Sequence, residues 1–166
     1  SHVVINMLCN IENFENEISK LKDFNFEYTL ISNSIDDTYK ISKIISKNLD
    51  KFNIINLNGE LGAGKTAFMQ GIAKYFKIED QVSSPTFTIV NEYDLKDNKK
   101  IFHFDVYRLE DSDEFLECIG TDYFENGFCI FEWGNIIRDI LPKSTLNIDI
   151  SKDDSDDNKR IFKIWR

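Results

Sequence analysis

Long apolar runs are missing from this 166-residue sequence, and none approaches the roughly 20 residues that span a bilayer. The opening residues lack the basic start and apolar stretch of a signal peptide, so a cytoplasmic protein is expected. Cysteine is scarce: Cys9, Cys118 and Cys129 are odd in number and share no close spacing. That argues against a disulfide framework or a zinc site and suits a reducing compartment. Arginine is scarcer in proportion, with Arg108, Arg138, Arg160 and Arg166 making up the whole set. The net charge is −9 and no basic cluster exceeds Lys99-Lys100. A chain that grips nucleic acid unaided carries a basic face. Tight direct binding to RNA or DNA is therefore not expected, and protein partners or a small ligand are the better candidates. No internal repeat or linker interrupts the sequence, and its length fits one domain with a sizeable core.

The apolar pattern alternates between helix and strand periods. Ile11 to Leu21 is weakly helical, and Phe24, Phe26, Tyr28 and Leu30 alternate as a strand. Ser34 and Asp37 have the spacing of a capping box, and Ile41, Ile44, Ile45 and Leu49 then share a helical face. Phe52 to Leu57 reads as a buried strand, and Thr66 to Phe76 as a helix. Thr86 to Tyr93 and Ile101 to Val106 read as an antiparallel hairpin. A helix over Asp111 to Cys118 and an apolar strand over Phe128 to Phe131 follow. A short helix at Asn135 to Ile140 stops at Pro142. Leu146 to Ile150 and Ile161 to Trp165 close the chain as strands, with acidic Lys152 to Asn158 as a solvated hairpin loop. The expected fold is α/β, with a central mixed, mostly parallel sheet flanked by helices and carrying antiparallel hairpins.

Between the buried strand and its helix lies Gly59-Glu60-Leu61-Gly62-Ala63-Gly64-Lys65-Thr66, a full match to G-x-x-x-x-G-K-[ST]. The glycines let successive backbone N–H groups point inward at phosphate oxygens. The helix starting near Gly64 adds its positive end. Lys65 supplies a charge for the outer phosphates and Thr66 a hydroxyl for magnesium. Four fixed positions match by chance in roughly one chain of this length in a hundred. The strand before and the helix after make a glycine-rich turn that binds nothing the weaker alternative.

A phosphate loop needs acidic partners for magnesium and water, usually at the carboxyl ends of neighbouring strands. Asp105 ends one predicted strand and Glu132 another. Either could instead simply end a strand or pair with Arg108. Ser83-Ser84-Pro85-Thr86 could sense a terminal phosphate or form a plain turn. His103 reads as a packed or surface histidine, and Trp133 as core or as a cover on the site.

Taken together, these stretches resemble the TsaE (YjeE) family of bacterial ATPases required for threonylcarbamoyladenosine modification of tRNA. The resemblance rests on Leu57 to Thr66, Val82 to Phe87, His103 to Arg108, and Glu132-Trp133. It covers residues 28–166 and implies a P-loop ATPase domain there, with residues 1–27 as an N-terminal extension of uncertain structure. The family usually has Asp where this chain has Glu60, a position that offers mainly backbone. The resemblance implies ATP held by Gly59 through Thr66 and by Ala67, and Mg2+ held by Thr66 and Glu132 with Asp105 as a second acid. Lys65, Asp105 and Glu132 would be catalytic, and Ser83 to Thr86 a switch segment. Ser34, Thr38 and Arg160 would reach the rest of the nucleotide. The implied partners are a threonylcarbamoyl-transferring enzyme and its scaffold subunit, proteins of the TsaD and TsaB type, with tRNA reached only through them.

Two other readings use the same loop. One is a nucleotide-gated binding module in which occupancy, not hydrolysis, matters. The other is a small-molecule kinase, weakened by the absence of an arginine-bearing lid. A guanine-reading Asn-Lys-x-Asp stretch is absent, which argues against a GTPase.

Overall fold

The computed structural model describes residues 4–21, 25–60, 62–79 and 90–166. Eight strands form one sheet in the order β1-β2-β8-β7-β3-β6-β5-β4. They are β1 (Val4–Leu8), β2 (Asn25–Ser32), β3 (Ile54–Asn58), β4 (Val90–Asp94), β5 (Lys100–Asp105), β6 (Phe128–Glu132), β7 (Leu146–Asp153) and β8 (Asp156–Trp165). The centre, β7-β3-β6-β5, is parallel throughout. Antiparallel β8 and β4 flank it, and β2 and β1 extend the sheet beyond β8. This is the expected mixed α/β architecture in a single domain.

The helices are α1 (Ile11–Lys20), α2 (Ile35–Lys47), α3 (Leu49–Phe52), α4 (Lys65–Phe76), α5 (Ser112–Cys118) and α6 (Tyr123–Asn126). The period-2 pattern of the central strands divides their side chains between two cores. On one face Leu57, Ile130, Ile148 and Phe162 pack with Phe14 and Ile18 of α1, Ile41 and Ile45 of α2, and Phe68 of α4. On the other, Phe102, Phe104 and Phe131 meet Phe115 of α5 and Ile137. Phe104 stacks on Phe131 with centroids 4.5 Å apart, and Phe115 meets Phe131 edge-on. Each such buried ring is worth about 1.5–3 kcal/mol of transfer free energy.

Residues 4–20, which the sequence left as an extension, carry β1 and α1, and both join the main body. β1 pairs in parallel with β2, and Phe14 of α1 lies edge-on against Tyr28.

Local chemistry sets the element ends. The Asp37 N–H donates to Ser34 Oγ at 3.1 Å, and the Asn33 N–H donates to Asp37 Oδ2 at 2.9 Å, so the predicted cap holds α2 in place. Gly71 lets α2 and α4 meet closely, since a side-chain carbon there would stand 2.9 Å from Ser42 Cβ. The predicted strand from Phe52 begins two residues later, because Phe52 closes α3 and Asn53 turns the chain at φ 60°. The β4–β5 hairpin is present over the described residues, while its expected start at Thr86 lies outside them.

One expectation is revised. The acidic stretch from Lys152 is not a long loop: the β7–β8 ladder reaches Lys152 opposite Arg160 and, after a bulge on the β8 side, Asp153 opposite Asp156. Only Asp154 and Ser155 turn the chain. Asp153 makes this possible by accepting the Ser155 N–H at 2.8 Å and its hydroxyl at 2.6 Å, with Lys159 Nζ 3.3 Å away.

Candidate functional site

The parallel strands place their carboxyl ends at one edge of the sheet, where ligands of α/β proteins bind. β3 ends at Asn58 and the glycine loop follows. β5 ends at Asp105 and β6 at Glu132, and these two residues are register partners on adjacent strands. The sheet itself therefore brings the two predicted carboxylates together beside the loop. They share a cleft of about 870 Å³ with Gly62, Gly64, Lys65, Thr66 and Ala67.

The loop is shaped as a cradle. Gly62 and Gly64 have φ of +79° and +114°, a region that L side chains rarely adopt. At Gly59 the requirement is space: a side-chain carbon would stand 2.7 Å from the Ile150 carbonyl oxygen. Ala63 is buried, Glu60 is exposed, and Leu61 lies outside the described residues. Gly64 caps α4, so the first N–H groups of that 12-residue helix open at the cleft.

Lys65 is 9% exposed and forms no ion pair among the described residues. Its Nζ lies 4.3 Å from the centroid of the Trp133 ring. Burial pulls its pKa down, against the raising influence of Glu132 and Asp105. Burial pushes Asp105 up, as does the neighbouring Glu132, while the Tyr107 N–H, Lys65 and His103 oppose the shift. Glu132 is buried, and His103 Nε2 lies 2.8 Å from its Oε2. His103 is thus packed, as one sequence reading had it, but packed against the site carboxylate.

The remaining predicted positions converge on the same cleft. Ser34, Thr38 and Arg160 line it. The Ser34 hydroxyl is occupied by its cap, and Thr38 Oγ1 shares a 2.8 Å hydrogen bond with Ser32 Oγ. Arg160 runs beside Gly64, its Nε 3.9 Å from where a side-chain carbon there would stand. Ser83 to Thr86 lie outside the described residues. Sequence reasoning missed Gln70, Tyr107, Asp157 and Asn158, which also line the cleft. Gln70 stands four residues after Thr66, one helical turn on, and that spacing was a usable signal. Asp157 and Asn158 were hidden by reading their strand as loop.

The residues fit the ligands that the loop implies. Only glycine suits the cradle, and Thr66, Asp105 and Glu132 offer the hard oxygens that Mg2+ prefers. Among the described residues no three His, Cys, Asp or Glu side chains gather to hold an ion.

The sequence model described as "Threonylcarbamoyl adenosine biosynthesis protein TsaE" matches residues 32–161. The chain belongs to the TsaE family. Among curated relatives, the "tRNA threonylcarbamoyladenosine biosynthesis protein TsaE" of Aquifex aeolicus is 40% identical over 139 residues, 82% of this chain and 95% of that one. The protein of the same name from Bacillus subtilis is 38% identical over 129 residues, covering 76% and 79%. The one from Rickettsia conorii is 35% identical over 133 residues, covering 80% and 74%. Among solved structures, the crystal structure of Bacillus subtilis YdiB superposes with a TM-score of 0.61 at 28% identity, over 87% of this chain and 88% of that one. Among the described residues no helix of this TsaE-family chain is long and apolar enough to cross a membrane.

The tip of the β7–β8 hairpin, next to the cleft, carries a measurable signature. The Ser155 hydroxyl, then its N–H, then Lys159 hold the Asp153 carboxyl down at about 2, from an ordinary 3.8. A group depressed on folding stabilises the fold above its unfolded value and loses that contribution as pH falls through its folded value. The hairpin tip should therefore keep its geometry until pH approaches about 2. A carbon-detected NMR titration of Asp153 reads this directly. Ser155→Ala should return the midpoint toward 3.8. An unshifted midpoint in the unsubstituted protein would refute the assigned cause.

Proposed function

We propose that this chain binds ATP with Mg2+ and hydrolyses it slowly, as the ATP-driven component of the assembly that makes N6-threonylcarbamoyladenosine in tRNA. There it sustains turnover of threonylcarbamoyl-transferring partners of the TsaD and TsaB type, in the cytoplasm. The pathway is the one that the names of its relatives carry. The observation that carries the chemistry is the meeting of the glycine loop with the in-register Asp105–Glu132 pair in one cleft. The ATPase domain is assigned to residues 28–166.

The residues take distinct parts. The cradle from Gly59 through Thr66 and the adjoining Ala67 hold the phosphates. Lys65 faces the charge that builds on the terminal phosphate, and its burial makes that interaction stronger than it would be in water. Thr66, Glu132 and Asp105 hold Mg2+, which when bound neutralises phosphate charge. His103 fixes one Glu132 oxygen, so the carboxylate is positioned before ligand arrives. Glu132 and Asp105 orient the attacking water. Ser34 and Thr38 border the nucleoside end, Arg160 reaches the nucleotide from beside Gly64, and Thr86 belongs to the switch segment.

Among the described residues the arginine that lines the cleft is Arg160, and its guanidinium donates to the Asp157 and Lys159 carbonyls, so slow hydrolysis is expected of the chain alone. The test is ATP turnover by the purified chain, alone and with the two partner proteins and tRNA. Activation by partners is expected. Fast hydrolysis without them, or none in their presence, would overturn the proposal.

A further inference from the structure

The β7–β8 hairpin leans a lysine over the phosphate loop. Lys152 Nζ lies 3.1 Å, and Cε 3.5 Å, from where a side-chain carbon on Gly62 would stand. Gly62 lies midway along the cradle, three residues before Lys65. Lys152 is also the direct cross-strand partner of Arg160, which lies along Gly64. The hairpin therefore lays two cations side by side against two successive glycines of the loop.

The placement is unexpected for a lysine in this neighbourhood. Asp153, Asp154, Asp156 and Asp157 surround it in sequence. Yet Asp153 is taken by Lys159, and Lys152 forms no ion pair among the described residues. An ammonium amid carboxylates that instead lies beside Gly62, a residue that lines the cleft, is placed for a ligand carrying negative charge there. The chain as a whole is at −9, so an anionic ligand needs local cations to enter this edge.

We propose that Lys152 is a phosphate-binding residue supplied in cis by the hairpin, a second lysine on the phosphate chain of a bound nucleoside triphosphate. This deepens the reading of the cleft as a nucleotide site and rests on it. The sequence motif does not contain Lys152, which lies 87 positions after Lys65. Because the contact is charge to charge, it favours phosphate-bearing ligands and is indifferent to the base. Because Lys152 is exposed, its contribution is screened by salt.

The experiment measures dissociation constants by titration calorimetry for Mg-ATP and for adenosine. The proteins are the unsubstituted chain, Lys152→Ala, Lys152→Arg and Lys163→Ala. The last removes the same charge from a lysine paired to Glu27, within the sheet. Lys152→Ala is expected to weaken Mg-ATP about tenfold, the lower end for a hydrogen bond to a charged group. Lys152→Arg should recover most of that loss, adenosine should bind all four proteins alike, and the salt dependence of Mg-ATP binding should be shallower in Lys152→Ala. The inference is overturned if Lys152→Ala binds Mg-ATP as tightly as the unsubstituted chain. It is equally overturned if Lys163→Ala loses as much, or if adenosine binding falls in parallel. Should the unsubstituted chain bind no Mg-ATP, the cleft reading itself fails and takes this inference with it.

Discussion

Lys65→Ala should abolish ATP binding and turnover while leaving the fold intact or slightly firmer. The loss expected for removing one preorganised cation facing phosphate is about 10²–10³-fold. The stability argument runs the other way. Lys65 carries its charge in a buried site, and burial depresses its pKa below the ordinary 10.5. A lysine depressed on folding costs stability wherever it is charged in both states. That cost is relieved only as pH rises through the folded value toward the unfolded one. At neutral pH the ammonium is therefore a burden on the fold, offset in part by Glu132, Asp105 and the Trp133 ring. Lys65→Met, which keeps the stem, should melt no lower than the unsubstituted protein near pH 7. An Ala variant that still turned over ATP, or a Met variant that melted well below the parent, would contradict this account. Glu132→Ala is the useful companion. If it binds ATP, cannot hydrolyse it, and still supports full multi-turnover tRNA modification, then occupancy alone matters and the gated-module reading replaces the ATPase.

Much of this site is legible in the sequence, because its parts are local. The loop needs its glycines at fixed offsets, and an apolar strand that ends in a carboxylate marks the edge of the sheet where a site can form. Both rules leave marks within a few residues, as at Gly59 to Thr66 and at Phe128 to Glu132. What stayed hidden depends on register between distant segments. Nothing near Lys152 announces Gly62, and nothing near His103 announces Glu132; the β3–β7 and β5–β6 ladders bring them together. The acidic hairpin was misjudged for a related reason. Its charges suggested a solvated loop, yet a hairpin that runs on past its neighbouring strands can carry charge outward and still pair through its backbone. Residues 4–20 show the same limit, since the pattern over Ile11 to Leu21 is weakly apolar overall, with Phe14 and Ile18 fully buried and Ile11 and Leu21 packed only partly against the core.

The asparagines around β3 carry the second large expectation. Asn56 is fully buried three residues before Gly59, within strand β3, where an isoleucine would serve packing alone. Its Nδ2 donates to Asn147 Oδ1 at 3.0 Å and to Asn135 Oδ1 at 3.2 Å, and its Oδ1 accepts from Asn58 Nδ2 at 2.9 Å. Gly134 closes over it, and a side-chain carbon there would stand 2.3 Å from Asn56 Oδ1. One side chain thus ties the strand that launches the phosphate loop to β7 and to the turn bearing Glu132 and Trp133. Asn56→Ala leaves buried Asn58 and Asn147 short of partners, at about 1–3 kcal/mol each. The expected total of about 2–6 kcal/mol is a large share of the 5–15 kcal/mol that holds a domain this size. Denaturant unfolding reads it as a lower midpoint at unchanged slope. Asn56→Asp keeps the size and the acceptor but loses the donor to Asn135 and Asn147, so it should recover little. A loss below about 1 kcal/mol in Asn56→Ala, within the range of an ordinary surface change, would show that water replaces the missing amide and that the network does not hold the turn.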